Sequence, residues 1–229
     1  MKFKKVDKLF QFLSKLYIAY IITLVIAVFV GLFEYHTYSN IPPSYNPETD
    51  FLPSDILTTI TGLVQFVLLL MVMINFFRFI HRVSKNLQFQ HNQALSTTPG
   101  WTVGYFFVPI LNLYKPYHAI KEIIQVSGKS EIVDTSKLGL WWGLWITSNV
   151  LGRMAVQYTI ENWGSDTSPT ESLIYLASDA FDIILFLVEF SMVKSIAGAY
   201  ISNFESNESS EDLKEEVIAK NDDVREFKE

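Results

Sequence analysis

The chain contains no cysteine, and this absence excludes several classes of chemistry. Without a thiol the protein forms no disulfide, holds no metal through thiolates and has no cysteine nucleophile. The histidines also show no metal-ligand spacing such as His-x-x-x-His; they are His36, His81, His91 and His118. The sequence therefore predicts neither a metal site nor a bound cofactor.

Motifs for phosphate binding and for nucleophilic catalysis are missing as well. The 10 glycines form no phosphate-cradling loop, and no Gly-x-Ser-x-Gly elbow is present. Lysines and arginines flank apolar runs instead of forming a basic face for nucleic acid. We therefore expect no nucleic-acid partner, and we expect that the protein is not an enzyme.

What the chain does have is long apolar runs. Residues 16–33 and 56–77 contain no charged residue. A run of about 18 or more apolar residues is long enough to cross a bilayer as a helix. The sequence predicts an all-α, integral membrane four-helix bundle in residues 1–204. Its four spans are predicted at about 16–33, 56–77, 138–160 and 173–197.

Basic residues are confined to alternate segments. Residues 1–15 contain five lysines and residues 78–137 contain seven lysines and arginines, whereas residues 34–55 and 161–172 contain none. Because Lys and Arg are enriched in cytoplasmic loops, we expect a multi-pass protein of the cell membrane with both termini cytoplasmic. Residues 205–229 hold ten acidic and four basic residues, which is typical of a solvated cytoplasmic tail.

The segment 100–117 lies between spans two and three and is as hydrophobic as a span. It is too short to cross easily, and Pro109 and Asn112 interrupt it. We expect a re-entrant or interfacial segment with a bend at Val108–Pro109 and with Asn112 satisfied by the bundle. An amphipathic stretch should follow at 119–126. Full crossing, which would place the tail outside, stays open; the residues singled out here are Trp101, Pro109, Asn112, Lys115 and Pro116.

Three acidic residues share one face of span four. Asp179, Asp182 and Glu189 lie within about 80° of one another on a helix. A charge at the bilayer centre costs about 2.5–3.5 kcal/mol, so these groups need partners inside the bundle. Arg153 of span three has the matching depth and sign, and we expect it to pair with Asp179 or Asp182. Such a cluster is either a path for ions, protons or polar substrates, or a structural tie between helices.

Span three also carries Gly139 and Gly143 at a spacing of four. Small residues at this spacing let membrane helices approach closely. The pair predicts tight helix packing, either inside the bundle or between two copies of the chain.

Three blocks of sequence resemble the bacterial membrane family called domain of unknown function 4328. The first is Phe77-Arg78-Phe79-Ile80-His81-Arg82 through Asn86-Leu87. The second comprises Pro99-Gly100-Trp101, Tyr105-Phe106-Phe107-Val108-Pro109-Ile110, Asn112-Leu113, Lys115-Pro116-Tyr117 and Ala119-Ile120-Lys121-Glu122. The third is Leu140-Trp141-Trp142 with Trp145. The resemblance implies a bacterial multi-span protein and transfers no catalytic residue, because the family has no assigned activity.

Three classes of function stay open at this stage. The first is an interaction or scaffold component of the bacterial envelope, with the lipid bilayer and a second copy or another membrane protein as partners. The alternative is a small transporter or channel subunit that uses the acidic face of span four. An intramembrane enzyme ranks last.

The charge asymmetry makes a direct prediction about topology. Single cysteines introduced at Ser44, Ser130, Ser168 and Ser209 meet no competing native thiol. An impermeant thiol reagent applied to intact cells should label only the Ser44 and Ser168 variants, because only those loops lack basic residues. Labelling of the Ser209 variant would contradict four spans and favour five.

Overall fold

This computed structural model describes residues 5–42, 44–45, 52–89, 91–127, 135–162 and 169–205. Within these ranges the chain is helical and contains no strand, which confirms the predicted all-α class. The α-helices are α1 (Asp7–Ser39), α2 (Pro53–Phe89), α3 (Pro99–Gly104), α4 (Lys115–Ser127), α5 (Thr135–Glu161) and α6 (Pro169–Tyr200). Two short 3₁₀ turns separate α3 from α4, and a π-helical turn follows α6. The predicted acidic tail, apart from Glu205, lies outside the described residues.

Each predicted span lies inside one long helix. The spans at 16–33, 56–77, 138–160 and 173–197 fall within α1, α2, α5 and α6. The helices extend further because polar residues at the ends of an uncharged run still propagate helix.

Two of these helices, α1 and α2, are long and apolar enough to span a membrane. Only 6% of the apolar window of α2 is buried inside the protein, against 28% for α1. The acidic residues of α6 interrupt its apolar sequence. Membrane crossing by α5 and α6 therefore stays a prediction.

The chain divides into two compact units. The bundle unit contains Gln11–Arg78 and Thr135–Met192. The small-helix unit contains Met1–Phe10, Phe79–Asp134 and Val193–Glu229.

In the bundle unit, α1 runs antiparallel to α6. The Tyr17 hydroxyl donates to Glu189 Oε1 at 2.8 Å, and the rings of Tyr20 and Phe186 meet edge to face at 4.5 Å. Further along α1, a Cβ added at Gly31 would lie 3.4 Å from Leu176 Cδ1. Residue numbers therefore fall along α6 as they rise along α1. A Cβ at Gly31 would meet Leu176 at van der Waals distance, so the two helices are packed against each other there.

The same unit pairs α5 with α6 in antiparallel fashion. Ser148 donates to Asp182 at 2.5 Å, and Thr159 donates to Glu171 at 2.6 Å. On α2, Gln65 donates to Asp179 at 3.3 Å. Helix α6 thus has hydrogen bonds to α1, α2 and α5.

In the small-helix unit, the predicted bend in segment 100–117 is present. Pro99 occupies the start of α3, where its missing N–H is not needed. Val108 leaves helical geometry with φ −98° and ψ 112° because the residue before a proline is disfavoured in the α region. The segment is therefore a broken chain of short turns and no single straight helix.

Helix α4 begins where this broken segment ends, and it is amphipathic as predicted. Its buried face repeats at three- and four-residue intervals; the buried residues are Pro116, Ala119, Ile120, Ile123, Ile124 and Ser127. On another side, Glu122 accepts hydrogen bonds from the Ser96 backbone N–H at 2.6 Å and from the Ser96 hydroxyl at 2.7 Å. These bonds tie the chain before α3 to α4.

The expectation for Asn112 is wrong. Its Oδ1 is buried but has no hydrogen-bond partner. Asn112 sits in the second 3₁₀ turn, whose residues are half-buried or exposed. Its neighbours in the turn, Leu111 and Leu113, carry no side-chain donor.

The buried face of α4 predicts which isoleucine supports the small-helix unit. Ile120 is fully buried, whereas Ile110 is 75% exposed. Ile120→Ala should destabilise the protein by about 2–5 kcal/mol because a buried cavity forms. Ile110→Ala is the matched control and should change stability by less than about 0.5 kcal/mol. Thermal unfolding in detergent measures both, and equal losses would contradict this packing.

Candidate functional site

The candidate site is the acidic face of α6 in the bundle unit. Glu189 is only 7% exposed, and Tyr17, its hydrogen-bond donor, is fully buried. Tyr17 also packs its ring against Phe186 and Phe190 of α6, with ring centroids 6.3 Å and 5.4 Å apart. Since the Tyr17 ring packs against two phenylalanines of the helix that carries Glu189, its hydroxyl is held near that carboxyl group.

A tryptophan completes the surroundings of Glu189. Trp141 of α5 is 1% exposed and lies near the Glu189 carboxyl. The Trp141 ring lies 6.5 Å from that of Phe76 on α2, which is part of the same packed layer. Glu189 is thus enclosed by aromatic side chains of α1 and α5.

The two aspartates of α6 are half-buried and bind neutral donors on different helices. Asp179 accepts from the Gln65 amide of α2, and Asp182 accepts from the Ser148 hydroxyl of α5. An interhelical hydrogen bond between polar side chains stabilises a membrane helix pair by roughly 0.6–2 kcal/mol. The acidic face therefore joins α6 to each of its three neighbours.

The predicted ion pair of Arg153 is not formed. Arg153 is exposed, and among the described residues it makes no ion pair or hydrogen bond with Asp179 or Asp182. Ser148, which does face Asp182, lies five residues before Arg153 on α5. Five residues turn a helix by about 500°, so the two side chains point about 140° apart. The prediction that α5 supplies a partner for the acids of α6 is correct, but the side chain that faces Asp182 is Ser148 and not Arg153.

Each carboxyl group of the acidic face accepts a hydrogen bond from a neutral donor on another helix. Within the described part of the chain, no group of three or more His, Asp or Glu residues is arranged to hold a metal ion.

The residues singled out in the broken segment lie in the small-helix unit. Trp101 is 51% exposed, and its ring lies 5.3 Å from that of Tyr105 at a tilt of 34°, while Pro116 is buried in α4. The Lys115 ammonium lies 5.8 Å from the ring centre of Tyr105 and 5.7 Å from that of Tyr114. An exposed Trp–Tyr surface with a lysine is typical of side chains at a membrane–water interface.

The two glycines of α5 face open space. A Cβ added at Gly139 or Gly143 would meet no atom within 4 Å among the described residues. Thr147, one turn further, is also exposed, and its hydroxyl bonds back to the Gly143 carbonyl at 2.9 Å. Close packing of these glycines inside the bundle unit is therefore not seen.

A comparison with known protein families assigns the chain to one of them. The model described as Domain of unknown function (DUF4328) matches residues 48–198. The chain belongs to this family. The match confirms the resemblance read from the sequence, and it includes every residue of the acidic face together with Gln65, Trp141 and Ser148. Tyr17 lies outside it. No curated protein and no solved structure matches the chain.

Sequence reasoning missed the neutral partners of the α6 carboxyl groups. Tyr17, Gln65 and Ser148 are polar side chains inside otherwise apolar helices. Intramembrane carboxyl groups seek hydrogen-bond donors as well as cations. A search for every polar side chain at matching depth would have included them.

The Tyr17–Glu189 bond gives a stability prediction. Tyr17→Phe should destabilise the protein by about 1–3 kcal/mol because Glu189 keeps its burial and loses its donor. The double variant Tyr17→Phe with Glu189→Leu should lose less stability than the sum of the losses in the two single variants. Arg153→Leu is the control and should shift stability by less than about 0.5 kcal/mol. A loss of about 3–5 kcal/mol in Arg153→Leu would instead indicate a buried ion pair.

Proposed function

We propose that this protein is a multi-span membrane protein that serves as an interaction or scaffold component of the bacterial envelope. In this proposal α1, α2, α5 and α6 cross the cell membrane and both termini are cytoplasmic. The exposed apolar surface of α2 supports the proposal, since a core helix of a water-soluble protein would be largely buried. The absence of Lys and Arg from residues 34–55 and 161–172 supports the orientation.

The α6 contacts support a static bundle. Each of the three acids of α6 accepts a hydrogen bond from a different helix; the acids are Asp179, Asp182 and Glu189. A polar interior whose members are paired rigidifies a helix assembly. A rigid bundle presents a fixed outer surface, which is what a scaffold or binding partner requires.

The observation that carries this proposal is the open stripe on α5. Gly139, Gly143 and Thr147 are exposed and follow one another at four-residue intervals along one face. Small residues at this spacing let two membrane helices pack backbone to backbone. We infer that this stripe binds a second copy of the chain, with another membrane protein as the rival occupant.

Association of the purified protein tests this stripe. Gly143→Ile and Gly139→Ile should shift the protein from dimer to monomer in detergent, because a β-branched side chain keeps the helices apart. Gly62→Ile on α2 is the matched control, since Gly62 also faces open space in an apolar helix. Light scattering or cysteine crosslinking measures the mass. A wild-type monomer, or a dimer that survives both α5 substitutions, would contradict the proposal.

A small transporter or channel subunit is the second candidate. The supporting observation is that the three carboxyl groups accept their hydrogen bonds from neutral side chains. A buried acid without a cationic partner takes up a proton or a cation to become neutral. Proton flux into proteoliposomes that is lost in Asp182→Asn would favour this candidate over the scaffold.

A further inference from the structure

The broken segment, residues 100–117 of the small-helix unit, exposes five large apolar side chains. Between 44% and 75% of the surface of each is exposed; they are Trp101, Phe107, Ile110, Leu113 and Tyr114. Helix α4, which begins at the end of this segment, buries its apolar face instead. A contiguous group of exposed apolar side chains marks a site that contacts a protein or a membrane. The broken segment is therefore an interaction surface.

Short turns satisfy part of the backbone of this segment locally. The Asn112 N–H donates to the Val108 carbonyl at 2.7 Å, and the Tyr114 N–H donates to the Leu111 carbonyl at 3.2 Å. Pro109 has no backbone N–H that would need a partner. Unpaired backbone groups are strongly destabilising in contact with lipid. These local bonds therefore favour a segment that can lie against a membrane surface.

A lysine lies among the aromatic rings of the segment. The Lys115 ammonium is 5.8 Å from the ring centre of Tyr105 and 5.7 Å from that of Tyr114. Trp and Tyr are enriched at membrane–water interfaces, where a lysine places its apolar stem beside them and its ammonium at the headgroups. An ammonium also binds phosphate groups. The segment thus combines a cation with apolar side chains, which matches the anion and the acyl chains of a phospholipid.

The charge of the surrounding sequence matches an anionic surface. Residues 79–127 contain four Lys and Arg residues and one acidic residue, Glu122. The Glu122 carboxylate already accepts two hydrogen bonds from Ser96. The cytoplasmic leaflet contains anionic lipids, and each Lys or Arg near it adds attraction. A positive excess beside exposed apolar side chains favours lipid over an uncharged protein surface as the occupant.

We propose that the broken segment docks on anionic phospholipid of the cytoplasmic leaflet. The Lys115 ammonium lies beside the headgroup phosphate, and the exposed side chains of Phe107 and Ile110 enter the adjoining part of the acyl chains. This inference rests on the proposed membrane location and orientation, and it adds a lipid class and a contact surface to them. Binding of such a surface strengthens with its buried apolar area and with the negative charge of the lipid.

Fluorescence quenching by brominated lipid tests the docking in the full chain. A fluorophore is attached at Ile110→Cys, where no native thiol competes. The vesicles contain equal amounts of phosphatidylglycerol and phosphatidylcholine, and bromine is carried by the acyl chains of one lipid or of the other. Quenching should be stronger when phosphatidylglycerol carries the bromine, because that lipid gathers at the segment. A label at Val67→Cys, on the exposed apolar surface of α2, should be quenched about equally by both lipids.

Two lysine variants, each combined with Ile110→Cys, link this preference to Lys115. Lys115→Gln should lower the ratio of the two quenching strengths by roughly fivefold, because it removes one charge at the anionic surface. Lys121→Gln is the matched control, since it removes the same charge from α4. Six residues turn a helix by about 600°, so Lys121 points about 120° away from Lys115. The ratio in Lys121→Gln should therefore stay close to that of the unsubstituted labelled protein.

Three results would overturn the docking while the membrane location stands. The first is equal quenching of the Ile110 label by the two lipids. The second is an Ile110 label that neither lipid quenches although the Val67 label is quenched, which would place the segment in water or under a protein partner. The third is a preference that Lys115→Gln leaves unchanged or that Lys121→Gln lowers equally. Absence of quenching at both labels would instead contradict the proposed function itself.

Discussion

A buried carboxyl group must find a partner, and this requirement organises the bundle unit. Helix α6 carries one buried carboxyl group, Glu189, and two half-buried ones, Asp179 and Asp182, along one face. Their hydrogen bonds reach α2, α5 and α1 in turn. In a setting where water is scarce, an unpaired polar group is destabilising by more than its hydrogen bond contributes when paired. The acids therefore fix how α6 is rotated and which residues of its neighbours face it.

This constraint separates the inside of the bundle unit from its outside. The acidic face of α6 meets Tyr17, Gln65 and Ser148, while the apolar residues of α2 remain exposed. On α5, Ser148 faces inward and Arg153 is exposed. Hydrogen-bonded polar side chains thus lie between the helices, and apolar side chains lie on the outer surface. This is the arrangement expected of helices surrounded by lipid. It also leaves the Gly139–Gly143 stripe free to meet another helix.

Sequence patterns predicted the long helices well because uncharged apolar runs have few alternatives. They also predicted the break at Val108–Pro109, since the steric effect of proline is local. They failed where rotation about a helix axis decides the outcome. Arg153 and Ser148 lie on the same helix but about 140° apart around its axis, and Ser148 is the one that faces Asp182. The missing hydrogen bond of Asn112 was equally hidden, because it depends on the orientation of a short turn.

The family assignment fixes the relationship of the chain but gives no activity. The functional proposal therefore rests on three structural features. They are a polar interior around α6, an open glycine stripe on α5 and an exposed aromatic segment near Lys115. Each belongs to a different part of the chain. Together they support the proposal of a membrane protein that another protein contacts.

Membrane depth along α6 tests the central claim most directly. Nitroxide labels placed singly at Ile184 and Leu187, which are 53% and 51% exposed, would report on the side of α6 opposite its acids. In lipid vesicles, the account predicts that oxygen relaxes both labels more than a water-soluble nickel chelate does, because oxygen concentrates in the hydrocarbon region. Preferential relaxation of both labels by the nickel chelate would show that α6 lies in water, and it would contradict a bundle that crosses the membrane.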